Sequence, residues 1–151
     1  MSKTLSVSAI NNGTVIDHIP AGQALRIIKL LKFSNYKNCV TIGLNLTSKG
    51  LGFKDLIKIE DRFLSAEEAN EITLFAPLAT INIIKNFEVI KKVTTELPKT
   101  ISNIITCPNE KCITHSEPVA SCFNVEQFAK HVMLICNYCE KRFDRDVYTN
   151  L

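Results

Sequence analysis

Apolar and polar positions along this chain follow two rhythms, and the rhythm changes tell where elements begin and end. Residues 5–10 alternate and predict a strand. Asn11-Asn12-Gly13 is a turn signal, and the β-branched, apolar residues 14–19 predict a second strand. Pro20 is a favoured opening residue for a helix, and Ala24, Leu25, Ile28 and Leu31 recur at helical spacing as far as Lys32. Residues 40–46 and 53–60 return to strand around a glycine-containing loop. Ser65-Ala66-Glu67-Glu68 has the form of a capping box, so a second helix is expected from there to about Phe75, stopped by Pro77. Residues 80–84 and 87–93 are strand-like again. This order predicts an α+β fold: a ferredoxin-like antiparallel sheet with two helices on one face.

Past Glu96 the helical rhythm is gone. Residues 96–104 contain Pro98 and read as a connector, and strands are expected at residues 103–106, 120–125, 132–136 and 142–147. The chain therefore divides into an N-terminal domain of residues 1–97 and a small all-β domain of residues 98–151.

The cysteines say what holds the second domain. Cys107 and Cys112 form one close pair, Cys136 and Cys139 another, and only Cys39 and Cys122 stand alone. Two tight turns that each present two thiolates suit a tetrahedral zinc site, and four thiolates leave no position for water, so the expected zinc is structural, one per chain. About 50 residues bury little surface, and structural zinc adds roughly 10–16 kcal/mol in small peptides. Cys39 and Cys122 fall in apolar strand patterns and are expected to be core thiols. His115 and His131 are expected outside the shell.

Charge narrows the partners. The formal net charge is +3, and it resides entirely in residues 1–98, with 12 Lys+Arg against 9 Asp+Glu; residues 99–151 carry 6 of each. A neutral zinc domain lacks the basic face that grips a phosphate backbone, which argues against nucleic acid as a partner. No apolar run approaches the ~20 residues of a membrane span, and the N-terminal residues lack the apolar core of a signal peptide. The expected location is the cytoplasm, with no membrane partner.

Catalytic groupings are missing: the chain shows no glycine-rich phosphate loop, no His-Glu-x-x-His and no nucleophile elbow. Asp17-His18 is the only adjacent acid–imidazole pair, equally readable as a turn or as part of a ligand site. Lys58, Lys91 and Lys92 lie on strand-like segments, where ammonium groups either meet an anion such as a triphosphate or simply face water.

Several segments, in order, resemble the regulatory chain of aspartate carbamoyltransferase. They are Gly13-Thr-Val-Ile-Asp-His-Ile-Pro20, Thr41-Ile-Gly-Leu-Asn-Leu46, Lys54-Asp-Leu-Ile-Lys-Ile-Glu60, the zinc segment from Cys107 through His115 and Glu117 to Val119, and Cys136-x-Tyr-Cys-Glu-Lys141. The resemblance implies a non-catalytic subunit whose N-terminal domain binds nucleotide effectors and pairs with another regulatory chain. It implies a zinc domain that docks on a catalytic chain, which condenses carbamoyl phosphate with aspartate in pyrimidine synthesis. CTP and ATP are the effectors implied, with UTP a further candidate. The nucleotide site carried over comprises Val7, Ala9 and Ile10 beside base and ribose, Asp17 and His18 at ribose and phosphates, Lys58 and Lys92 at the phosphates or ribose, and Leu56, Asn82 and Val89 lining the pocket. Ser8, Phe87 and Lys111 depart from the best-known members, which carry an acid, a tyrosine and a small polar residue there. The competing reading is a zinc-ribbon adaptor for another protein or a nucleic acid, without a nucleotide site.

Overall fold

The computed structural model describes residues 8–50, 52–129 and 131–145. The chain divides into two compact units, Met1–Glu96 and Leu97–Leu151.

In the first unit, five strands form one antiparallel sheet. They are β1 (Gly13–Pro20), β2 (Val40–Ser48), β3 (Gly52–Glu60), β4 (Thr80–Lys85) and β5 (Glu88–Val93), in the order β2-β3-β1-β4-β5. Helix α1 (Ala24–Leu31) connects β1 to β2, and α2 (Ala66–Ile72) connects β3 to β4. The first four strands have the ferredoxin-like connection, and β5 extends the sheet by a hairpin. Ile16, Ile57 and Ile81 are register partners across β1, β3 and β4; all are buried, and Thr14 and Ile59 continue the same face. Ala24, Ile27 and Leu31 supply the buried stripe of α1.

Expectations change around β1 and α1. Of the strand expected over residues 5–10, Ser8, Ala9 and Ile10 are not strand, and the rest lies outside the described residues. Pro20 ends β1 instead of opening α1, whose first residue is Ala24. Leu25 is 56% exposed, and Ile27 takes the core position instead.

Local chemistry explains α2. The Ser65 hydroxyl accepts from the Glu68 N–H at 3.2 Å, and the Glu68 carboxylate accepts from the Ser65 N–H at 3.1 Å, a complete capping box. Arg62 joins the two helix ends: it pairs with Glu68 at 2.6 Å, donates to the Leu31 carbonyl at 2.9 Å and lies over the Phe33 ring.

Gly13 marks the tightest approach in the sheet. Its φ is 142°, and a Cβ built there would lie 1.9 Å from the Ile59 carbonyl oxygen. Gly13→Ala must therefore separate β1 from β3, with an expected loss of about 3 kcal/mol. At a urea dependence of roughly 1–3 kcal/mol per molar, the unfolding midpoint should fall by about 1 M or more. A midpoint within a few tenths molar of wild type would show that the strands part without cost.

The second unit is a four-stranded antiparallel sheet in chain order: β6 (Thr100–Ser102), β7 (Cys122–Phe128), β8 (His131–Cys136) and β9 (Arg142–Asp144). The first strand lies inside the expected connector, because residues 100–102 find partners in β7, while Asn103, at φ 58°, turns the chain away. The end of the strand expected over residues 142–147 lies outside the described residues. Phe123 and Leu134 are fully buried between the strands.

Candidate functional site

The first cysteine pair sits in a loop folded on itself. The Cys112 N–H donates to the Asn109 carbonyl at 2.9 Å, and the Lys111 N–H donates to the Asn109 side chain at 3.2 Å. A short 3-10 turn, Ile113–His115, follows. The second pair turns at the end of β8, where the Glu140 N–H closes back on the Cys136 carbonyl. These turns bring the sulfurs of Cys107, Cys112, Cys136 and Cys139 within 4.8 Å of one another. The Cys107–Cys139 and Cys112–Cys136 separations are 3.8 and 3.7 Å. A tetrahedron with metal–sulfur bonds of about 2.3 Å has edges of about 3.8 Å. A disulfide would need about 2.05 Å.

Without a cation the four thiols are not equivalent. Burial pushes the Cys107 thiol up to about 12 and raises Cys136, while the Thr114 hydroxyl and backbone N–H draw Cys112 down to about 6. Four sulfurs at this spacing cannot all be anionic without a positive charge among them. A dication lets all four be thiolates at once and displaces their protons. The donor set and spacing fit zinc; the ion would supply fold stability, with no open position for a substrate.

Residues around the sulfurs orient them. The Thr114 hydroxyl lies 3.2 Å from the Cys112 sulfur, and His115 Nε2 lies 2.8 Å from the Cys107 carbonyl oxygen. Sequence reading set His115 aside; its role as a brace for the ligand loop is visible only in space. Cys122 is half-buried and accepts from Asn137 Nδ2 at 3.0 Å, and Cys39 is exposed just before β2, so neither is the core thiol expected. Both lie at strand boundaries, where the apolar pattern does not specify burial.

In the first unit, one face of the sheet carries the lysines. Asp55, Ile57 and Ile59 face the helices, so Lys54, Leu56 and Lys58 face the other way. Register then aligns a row across all five strands: Thr41, Lys58, Val15, Asn82 and Lys92. Three strand spacings of about 4.8 Å separate Lys58 from Lys92, roughly 14 Å. The Asn82 side-chain oxygen between them is buried with no hydrogen-bond partner among the described residues. Lys91, the neighbour of Lys92, pairs with Ile83 and belongs to the opposite face.

Asp17 and His18 lie inside β1, at a bulge, and not in a turn after it. Both residues oppose Leu56, and His18 adopts φ 57°. Asp17 binds Lys54 at 2.9 Å, and His18 Nδ1 lies 3.1 Å from the Thr80 hydroxyl. Burial alone would raise the Asp17 carboxyl; the Lys54 hydrogen bond, the His18 N–H and the nearby charges outweigh it and hold the carboxyl below the usual range. Burial lowers the Lys58 ammonium, and the Asp17 charge opposes that shift only in part. The Lys58 ammonium donates to the Ser8 carbonyl at 2.8 Å, which brings the chain before β1 to the lysine face. Ile10 is buried, Ala9 and Val89 are exposed, and Val7 lies outside the described residues. Lys54 is a further charged residue of this face, and its spacing of four from Lys58 on one strand is the signal for it in the sequence.

Comparison with known proteins agrees across both units. The family profile "Aspartate carbamoyltransferase regulatory chain, allosteric domain" matches residues 5–96, and "Aspartate carbamoyltransferase regulatory chain, metal binding domain" matches residues 99–149. The aspartate carbamoyltransferase regulatory chain of Vibrio campbellii is 52% identical over 145 residues, 96% of this chain and 95% of that one. That of Photorhabdus laumondii is 52% identical over 143 residues, 95% and 93% of the two chains. That of Chromobacterium violaceum is 50% identical over 147 residues, 97% of each. No helix among the described residues is long and apolar enough to cross a membrane. With an allosteric domain, a four-sulfur metal centre and this similarity along nearly its whole length, the chain belongs to the regulatory-chain family of aspartate carbamoyltransferase, the non-catalytic partner of that enzyme's catalytic chain.

Proposed function

We propose that the N-terminal unit binds nucleoside triphosphates on its lysine-bearing face and passes their effect to catalytic chains of aspartate carbamoyltransferase in pyrimidine biosynthesis. CTP and ATP are the effectors, with UTP a third candidate. The carrying observation is the aligned row of Lys58, Asn82 and Lys92 on one sheet face. Two ammonium groups at its ends suit a polyanion, and the Asn82 oxygen, without a partner among the described residues, suits an N–H donor of a base or a ribose hydroxyl. Leu56 and Val89 supply apolar surface, and Asp17 and His18 close one end. The small zinc domain read from the sequence, residues 98–151, is the part that docks on the catalytic chain, and the N-terminal domain, residues 1–97, also pairs with a second regulatory chain. The free cysteines suit a reducing compartment such as the cytoplasm.

Calorimetric titration of the chain with CTP and with ATP tests this. One saturable site shared by the two nucleotides is expected, so ATP should compete with CTP. Absence of binding by either would leave the adaptor reading in its place.

A further inference from the structure

We infer that Asp55 is a positioning residue that couples the nucleotide face to the edge strand β2. The inference rests on the nucleotide reading above.

Asp55 is a fully buried acid in the middle of a strand. Such a residue persists only where its oxygens are satisfied. One carboxylate oxygen accepts from the Gly22 N–H at 2.9 Å and the Ala24 N–H at 3.2 Å; the other accepts from the Asn45 N–H at 3.0 Å. A single planar group thus holds two segments from opposite sides: the turn between β1 and α1, and the middle of β2.

Both neighbouring strands lose regular pairing at this same point. On β1 the register passes from Ile16↔Ile57 to Ile19↔Asp55, so Asp17 and His18 together oppose Leu56. On β2 it passes from Gly43↔Leu56 to Leu46↔Lys54, so Leu44 and Asn45 together oppose Asp55. His18 and Asn45 share the same left-handed φ, 57°. Bulges re-aim side chains and tend to lie beside functional sites. Here one bulge carries Asp17 and His18 of the proposed nucleotide site. The other lies on the sheet edge, where Ile42 and Leu44 are exposed.

The chain of contacts is short. Movement of Asp17 and His18 is carried through Ile19 and Pro20 to the Gly22 and Ala24 amides. These hang on Asp55, whose other oxygen holds Asn45. A ligand that orders the first bulge therefore orders the second, and anything that binds the β2 edge acts back on the nucleotide site by the same factor.

Amide hydrogen exchange on the isotopically labelled full chain, with and without CTP, tests the inference. In wild type, CTP should slow exchange at Gly22, Ala24 and Asn45 together, by about fivefold or more. Asp55→Asn keeps the volume but leaves one acceptor oxygen, so it can serve only one of the two segments. In that variant CTP should still slow exchange at Asp17 and His18 while Asn45 no longer responds. A merely structural Asp55 would change exchange everywhere in the unit without removing the CTP-dependent difference at Asn45, and that result overturns the coupling. If Asp55→Asn does not fold, wild type decides: protection at Asp17, His18 and Lys58 with a silent Asn45 overturns it equally. No response to CTP anywhere in wild type overturns the nucleotide reading itself, and this inference with it.

Discussion

Cys136→Ser will cost residues 97–151 their fold and leave residues 1–96 standing. The two units differ in what they bury. Among the described residues the N-terminal unit has seventeen buried apolar side chains; the C-terminal unit has Ile101, Ile105, Phe123, Val132, Leu134 and three of the four clustered cysteines. Five apolar side chains and a short four-stranded sheet do not offset the chain entropy of some 55 residues. The metal supplies the difference, on the order of 10–16 kcal/mol in comparable small sites. Serine at position 136 removes one of four thiolates and opens the shell. Elemental analysis should find close to one zinc per wild-type chain and far less in the variant. A two-dimensional amide spectrum should keep dispersed signals from the first unit and lose them from the second. Mercurials, which take thiolates from zinc, should likewise release the chain from catalytic chains on gel filtration. A variant without zinc that keeps dispersed signals from residues 97–145 would show that the sheet stands on its own core.

Lys58→Ala and Lys92→Ala will each weaken CTP and ATP binding about tenfold or more. The triphosphate is common to both nucleotides and carries several negative charges, and a charge-assisted contact contributes roughly 1.5–3 kcal/mol. Both lysines lie on one face, three strand spacings apart in the aligned row. Lys91→Ala is the control. It removes the same charge one residue away, but on the face that carries Ile83, so affinity should stay within about twofold. Calorimetry on all three variants at one salt concentration decides. Equal losses in the three would indicate only the general positive charge of the unit, and no loss in Lys58→Ala and Lys92→Ala would remove the site from this face.

What the chain's residues determine unaided is what short spacings decide. Two cysteine pairs, each closed within one turn, announce a metal centre because the turn itself fixes the sulfur positions. The Ser65–Glu68 capping box forms where expected because both of its bonds are local. Alternation of β-branched residues located most of the strands for the same reason. Pairing between distant segments decided the rest. Helix α1 starts at Ala24 and not at Pro20, because the acceptor for its first amide, that of Ala24, is Asp55, 31 residues away along the chain. Strand β6 exists because β7 pairs with residues 100–102. Alternation puts Lys58 and Lys92 each on some face of its own strand. Only register across three strand boundaries, shifted in the β4–β5 hairpin by the bulge between Ile83 and Ile84, places them on one face with Asn82 between them. Register is a sum of hydrogen bonds between remote segments, so no window along the sequence contains it.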